Sequence, residues 1–379
     1  MRNNLVVGIL PESKNEWERR TPLTPKDVSW LAKRKIPVDV ASSPLRIYKD
    51  SQYKRSGARI VTKFQKANLL IGIKEPPIDT QIPDSVYMVF SHATKGQEYN
   101  RNLLTAFLKN KITLIDYEHI TGSLGQRLVY FGRYAGICEM IDTLHVFGRK
   151  AELQGIPNPF SDLKSAVHYG NYGSARKALD QVVDKIRRKG FDKKIVPFVI
   201  GILGHGNVSQ GAQEVLEHMG AVDIHPRDVK HLARNHTTHK ETVYKLLFQR
   251  EEKLRSKKGD SFYFEEYLKH PGGFESNLER HLLLLNIIVI ASYWDKRYPR
   301  LLSKTMLRKL YRAKPGFRLS VIGDLSDSGI AAMAIDNLPC EFPKESSMEF
   351  ADQVRDFVYQ ITAHGITDVT NHHALPDVI

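Results

Sequence analysis

The sequence predicts an α/β fold in two domains, and three observations carry that prediction. At 379 residues the chain is long for one hydrophobic core. Its first third alternates short apolar runs with amphipathic segments, the pattern of a mostly parallel sheet flanked by helices. Midway, the apolar run 195–203 ends in Gly204-His-Gly-Asn-Val-Ser-Gln-Gly211 and passes into an amphipathic segment. This is the strand–turn–helix start of a dinucleotide-binding unit, in which closely spaced glycines let the backbone approach a pyrophosphate at a helix N-terminus. The match to G-x-G-x-x-G is incomplete: Gly204 and Gly206 fit, Ser209 stands where the third glycine belongs, and Gly211 follows two residues later.

In chain order, residues 5–10, 36–41, 67–74, 87–92 and 112–117 read as strands, and 24–33, 50–56 and 97–109 as helices. A long helix is expected from Tyr134, with Ile137, Met140, Ile141, Leu144 and Phe147 at core spacing, ended by Gly155-Ile-Pro. A helix over 175–189 precedes the glycine stretch. After it, residues 221–227 read as the second strand, and 230–258 as polar, basic and helical in part. The continuous apolar run 282–291 suits a central parallel strand covered on both faces. Residues 317–323 make another strand, with Asp324 at its end. The last helix runs over 347–364, where Ser346 and Glu349 resemble a capping box and Phe350, Val354, Phe357 and Ile361 form an apolar face for the first domain.

The net charge of +14 admits nucleic acid, a membrane surface or anionic small ligands as partners. The basic residues are spread along polar faces and loops, and no nucleic-acid-binding motif accompanies them, so no nucleic acid is expected. No apolar run reaches membrane-spanning length, so no membrane partner is expected. Two cysteines, Cys138 and Cys340, in apolar surroundings and an N-terminus that reads straight into a strand lead to an expected cytoplasmic location. His225, His231, His236 and His239 lack the acidic or cysteine partners of a metal site, and no metal is expected.

Polar clusters at strand ends and helix starts carry the candidate chemistry. Lys74 closes one strand and His92 the next, a pairing suited to acid/base work because a low-dielectric cleft tunes lysine toward neutrality and histidine starts near it. Arg20, before the first helix, is of the type that grips a carboxylate in bidentate fashion. No acid sits squarely at the end of the second strand, whereas Arg227 follows it. That favours NADPH, with Asp223 or Asp228 as ribose ligands if the cofactor is NADH.

Eight stretches together resemble one family: Glu18-Arg-Arg-Thr-Pro-Leu-Thr-Pro25, Gly72-Ile-Lys-Glu-Pro-Pro77, Phe90-Ser-His-Ala-Thr-Lys95, Ile115-Asp-Tyr-Glu118, Phe131-Gly-Arg-Tyr-Ala-Gly136, Gly204-His-Gly-Asn-Val-Ser-Gln-Gly-Ala212, Tyr293-Trp294 with Pro299-Arg-Leu-Leu302, and Ile335-Asp-Asn-Leu-Pro339. The chain resembles the lysine–ketoglutarate reductases, the saccharopine-forming members of the alanine dehydrogenase/transhydrogenase N-terminal superfamily. The resemblance implies two doubly wound, Rossmann-like domains with an interdomain cleft: a substrate domain of residues 1–134 and 337–379, and a dinucleotide-binding domain of 135–336. It implies condensation of the lysine ε-amine with 2-oxoglutarate and reduction of the imine by NADPH to saccharopine, in lysine degradation. Lys74 and His92 would be the acid/base pair, Arg20 a substrate-carboxylate ligand, and Glu118 and Arg127 further substrate contacts. Gly204, Gly206, Asn207, Val208, Ser209 and Gly211, with Arg227 and Asp324, would hold the cofactor. The stretch from Asp324 to Pro339 is shorter than the family pattern, so a catalytically impaired nucleotide-binding relative, or a related NAD-dependent dehydrogenase, is the alternative. The oligomeric state is not legible in the sequence.

Overall fold

The computed structural model describes residues 5–93, 98–123, 125–232, 239–282, 284–292, 294, 296–313, 320–322, 332–333 and 337–366. Asp324, Tyr293 and Lys95 therefore lie outside the described residues. The chain divides into two compact units, Met1–Phe131 with Pro339–Ile379, and Gly132–Leu338.

The first unit contains strands β1 (Val7–Ile9), β2 (Val38–Ala41), β3 (Arg59–Val61), β4 (Leu69–Ile71), β5 (Val86–Val89) and β6 (Thr113–Asp116). Its helices are α1 (Pro25–Lys33), α2 (Asp50–Arg55) and α3 (Arg101–Lys109), with a closing helix Pro343–His364. The strands form one sheet in the order β3-β2-β1-β4-β5-β6, and every neighbouring pair is parallel. Both faces are covered: Leu69 and Ile71 enter one core, and Leu70 between them enters another with Ala67 and Tyr87. Helix α1 starts where its sequence directs, with Thr24 and Asp27 closing a capping box and Pro25 at the first helical position.

Phe350, Val354, Val358 and Ile361 of the closing helix are fully buried in the larger core of this unit. Phe350 stacks on Phe131 with ring centroids 4.4 Å apart. At about 1.5–3 kcal/mol for each large apolar side chain buried, this face docks the C-terminal segment into the first unit. The helix begins earlier than the sequence suggests, at Pro343. Ser346 is thus inside the first turn, where its hydroxyl donates to the Pro339 carbonyl at 2.7 Å and caps nothing.

The second unit contains α4 (Gly132–Leu153), α5 (Tyr172–Lys189), β7 (Phe198–Leu203), α6 (Asn207–His218), β8 (Val222–Asp223), α7 (Val229–Leu232), β9 (Val243–Phe248), α8 (Arg250–Lys253), β10 (Leu254–Ser256), α9 (Phe264–Lys269), β11 (Phe274–Ser276), α10 (Glu279–Leu282), β12 (Ile287–Ile290), α11 (Lys304–Ala313), β13 (Ser320–Ile322) and β14 (Ala332–Met333). Its main sheet is also parallel and six-stranded, in the order β14-β13-β12-β7-β9-β8. Strands β10 and β11 form a separate antiparallel ribbon.

This order corrects the sequence reading at one point. The segment 230–258 is helical in part, as expected, through α8 and the end of α7, but it also contains β9, an interior strand paired with β7 along its whole length. Residues 221–227 contribute only the two-residue strand β8, at the sheet edge. Lys245 in mid-strand hides β9 from a reading of hydrophobic pattern. It is 3% exposed and held by Glu217 at 3.1 Å and Asp223 at 3.2 Å.

Helices α4 and α6 pack backbone to backbone. A Cβ on Gly136 would lie 1.8 Å from the Val208 carbonyl oxygen, and one on Gly211 would lie 1.9 Å from that of Arg133. Among the described residues no helix is long and apolar enough to cross a membrane.

Candidate active site

In the first unit, the carboxyl ends of β1, β4, β5 and β6 present a cluster of ionisable groups. Beyond β4 the chain continues to Ile73, whose carbonyl accepts from the Phe90 N–H at 3.0 Å. That bond places Lys74-Glu75 beside the Ser91-His92 pair that follows β5. Glu12, beyond β1, accepts the backbone N–H groups of Ile73 (2.6 Å) and Lys74 (3.0 Å) and fixes the Lys74 backbone.

His92 is anchored from two sides. Its Nδ1 lies 2.7 Å from the Glu75 carboxylate, which also meets Lys14 at 3.6 Å. Ser91, fully buried, hydrogen-bonds the Asp116 carboxylate at the end of β6, and the other Asp116 oxygen accepts the Glu118 N–H at 2.9 Å. His92 itself has φ +51°, a left-handed backbone that costs a non-glycine residue about 1–3 kcal/mol and concentrates at functional sites.

The electrostatics of the cluster are coupled. Burial pulls the Lys74 ammonium below the usual lysine range, Arg20 and Lys14 pull it further, and Glu18 and Glu75 oppose them. Burial pushes the Glu12 carboxyl up to about 7, assisted by Glu18 and opposed by the two N–H bonds and Arg20. For Glu75 burial is outweighed, chiefly by its hydrogen bond with His92, and its carboxyl falls to about 2. Burial holds the Tyr117 phenol well above its ordinary value, with Glu12 and Asp116 adding to the effect; its hydroxyl has no hydrogen-bond partner among the described residues. Cys340, from the C-terminal segment, is pushed up to about 11 by burial and feels Arg20 and Lys74.

Arg20 is 2% exposed and forms a bidentate pair with Glu18, Nε to Oε1 at 2.7 Å and Nη2 to Oε2 at 2.6 Å, under the Phe131 ring at 4.1 Å. It is therefore half of a buried ion pair whose field reaches Lys74, an arrangement the sequence did not reveal. Glu118 and Arg127 pair with each other at 2.6 Å near the site. Glu12, Glu18, Glu75, Tyr117 and Cys340 were not singled out from sequence. Glu18, Glu75 and Tyr117 carried a local signal, standing within two residues of the named candidates Arg20, Lys74 and Glu118.

In the second unit, the glycine turn lies where β7 ends, between β9 and β12, the point at which chain connections diverge to either side of the sheet. Gly204 has φ +138°, and a Cβ there would lie 2.1 Å from the Ala291 carbonyl oxygen. Gly206 starts α6 with no side-chain cap, and a Cβ there would meet nothing within 4 Å. The first turn of α6 thus offers backbone N–H groups beside open space, which fits a pyrophosphate. Asn207 and Val208 begin that helix. Ser209 is fully buried and accepts from the Gln213 side chain at 3.1 Å. Gly211 serves the close packing on α4, since its missing Cβ faces the Arg133 backbone. Arg227 stands beyond the edge strand, exposed, its Nε 3.1 Å from His225 Nδ1. Among the described residues no group of acids, histidines and cysteines is arranged to hold a metal.

Residues 8–138 match the family model described as alanine dehydrogenase/PNT, N-terminal domain. The chain is 31% identical, over 97% of its length and 40% of the relative's, to alpha-aminoadipic semialdehyde synthase of Arabidopsis thaliana. It thus spans about two fifths of that relative's length. It is 28% identical, over 58% of its length and 57% of the relative's, to saccharopine dehydrogenase [NAD(+), L-lysine-forming] of Neurospora crassa. Among solved structures, an L-alanine dehydrogenase superposes with a TM-score of 0.62, covering 99% of this chain and 94% of that one at 14% identity. That likeness shows a Rossmann-like fold.

Proposed function

We propose that the protein is a saccharopine-forming reductase, joining the ε-amine of lysine to the keto carbon of 2-oxoglutarate; the match of residues 8–138 to the alanine dehydrogenase/PNT N-terminal domain and the similarity to a saccharopine dehydrogenase support this reading. The observation that carries this reading is the placement of Lys74 and His92 at neighbouring strand ends, each held by its own carboxylate, Glu12 on the Lys74 backbone and Glu75 on the His92 ring. Imine formation needs a neutral amine and then an acid to expel water. Lys74, made less basic by burial and by Arg20, takes the proton from the incoming ammonium. His92, with Nδ1 on Glu75, presents Nε2 to the carbinolamine hydroxyl, and the Glu75 carboxylate stabilises the imidazolium that acts as the acid. Arg20 acts through its charge, and Glu118 with Arg127 lines the approach of substrate carboxylates.

Bound at the glycine turn, a nicotinamide dinucleotide supplies the hydride that reduces the imine. Gly204, Gly206 and the first N–H groups of α6, at Asn207 and Val208, would hold its pyrophosphate.

The test is NADPH consumption with lysine and 2-oxoglutarate, omitting each in turn. Oxidation that requires both supports the reading. Oxidation indifferent to lysine, or supported by ammonia instead, removes it.

A further inference from the structure

We propose that Lys245 is a positioning residue for the dinucleotide: its buried ammonium fixes helix α6 on the sheet and so aims the first N–H groups of that helix at the pyrophosphate. The proposal rests on the reading of the glycine turn as a dinucleotide site. In G-x-G-x-x-G the third glycine lets the helix pack closely on the strand. Ser209 stands in that place here and is fully buried. Its hydroxyl is one end of a polar row. Ser209, Gln213 and Glu217 recur at every fourth residue of α6 and therefore share one face. The Gln213 amide donates to Ser209 Oγ at 3.1 Å, and its carbonyl oxygen accepts from Lys245 Nζ at 3.4 Å. Lys245 also meets Glu217 at 3.1 Å and Asp223 at 3.2 Å. It stands in the middle of β9, opposite Ile200 of β7 and Asp223 of β8. One side chain thus ties β9, β8 and α6 together and reaches through Gln213 to the first turn of the helix.

The energetics point to register rather than stability. The ammonium is taken out of water, whereas the Glu217 and Asp223 side chains are 64% and 76% exposed. Pairs with such solvated acids contribute little against the desolvation of the cation. An apolar side chain of similar length would hold helix and sheet together at least as well. What apolar packing does not supply is a fixed position along the helix axis, and directional hydrogen bonds do. The other side of α6 is already set: Gly211, two residues and so about 200° further round the helix, lies against the Arg133 backbone of α4. The Lys245 row sets the side that faces the sheet. Asn207 and Val208 stand within one turn of Ser209, so a slip of the row moves the N–H groups that would meet the phosphates.

Lys245→Met removes the ammonium and leaves no buried charge behind, because both acids reach solvent. The experiment is titration of the full chain with NADPH and with NADH, followed by nicotinamide fluorescence, beside urea unfolding of the same samples. In Lys245→Met the urea midpoint is expected to stay at or above that of the wild type, while affinity for the tighter-binding cofactor falls about tenfold, as when charge-assisted bonds to phosphate are weakened. Ser209→Ala cuts the row at its other end and should lose about threefold. The double variant should lose no more than Lys245→Met alone, because both changes break one chain of contacts. Wild-type affinity in Lys245→Met overturns the proposal and leaves the dinucleotide site standing. A loss of affinity that follows a loss of stability overturns it too, making Lys245 a brace of the fold alone, as do additive losses in the double variant. If Lys245→Met does not fold, Ser209→Ala decides, and wild-type affinity there overturns the proposal. A wild type that binds neither cofactor removes the dinucleotide reading and this proposal together.

Discussion

The two units share one architecture and use its strand ends in opposite ways. Each has a six-stranded parallel sheet whose first strand lies third or fourth in the order, with chain connections running to both sides. In the first unit the strand ends are crowded with side chains: Glu12, Lys74, Glu75, Ser91, His92 and Asp116 hold one another in place. In the second the corresponding end is almost bare, a turn of backbone leading into an uncapped helix. The lesson is chemical. Proton transfer needs titratable groups tuned by burial and by neighbours. Holding a pyrophosphate needs N–H groups and the absence of side chains.

The sharpest way to break this contrast is to remove the titratable groups. Lys74→Met and His92→Gln should each lower kcat by about 10²–10⁴-fold, the usual contribution of a positioned acid or base. Nucleotide affinity and circular dichroism should be unchanged. A variant that keeps wild-type kcat would show that the crowded end is structural.

Next come the glycines, where the same mutation should do different things at two sites. Gly136→Ala drives a methyl to 1.8 Å from the Val208 carbonyl oxygen and should cost about 3 kcal/mol or more of stability. Gly206→Ala meets only open space. It should fold normally and lose about tenfold in dinucleotide affinity, because its methyl intrudes where the backbone must approach the phosphates. Thermal unfolding and binding titration separate the two, and equal effects on both readouts would erase the distinction between packing and cradle.

A third comparison sets two carboxyls of equal acidity against each other. Glu12 and Glu139 are both pushed up to about 7, Glu12 by burial and then Glu18, Glu139 by burial alone. In each case the folded state binds the proton more tightly than the unfolded state. Between the ordinary value of 4.5 and about 7, stability therefore falls as pH rises, by up to about 3 kcal/mol per group. Glu139→Gln should remove its share of that slope without touching activity. Urea denaturation at pH 5 and pH 8 measures it, and parallel pH dependence in wild type and variant would dismiss the claim.

The first unit was the more legible in sequence, for a physical reason. Five of its six strands are apolar runs bounded by polar segments. The exception is β3, a three-residue edge strand opened by Arg59, whose guanidinium pairs with Asp39 and leaves little hydrophobic signal. In the second unit β9 was hidden because Lys245 interrupts Val-Tyr-Lys-Leu-Leu-Phe, and burial of that lysine depends on Glu217 and Asp223, brought from α6 and β8. Lys74, His92 and the glycine turn were visible as single residues at strand ends. Glu12 was not, because what qualifies it is its position opposite a strand 61 residues away in sequence. Ser346 misled in the opposite sense, since its spacing to Glu349 fits a cap and only Pro343 decides where the helix begins.

The smallest effect is expected at Asp223, one of the two acids the sequence offers as ribose ligands for NADH, where the topology redirects the reading. Asp223 follows the glycine helix on what reads as the second strand, the place where an acid would take the ribose hydroxyls. In the fold it lies on the edge strand, its side chain 76% exposed, and its carboxylate is 3.2 Å from the Lys245 ammonium. An exposed partner of this kind contributes about 0–1 kcal/mol, and Lys245 retains Glu217 at 3.1 Å when it is lost. Asp223→Asn should therefore shift stability by less than about 1 kcal/mol and leave 5′-AMP and NADH affinity within about twofold, the same margin in energy. A loss of NADH affinity well beyond that would place the ribose at the end of β8.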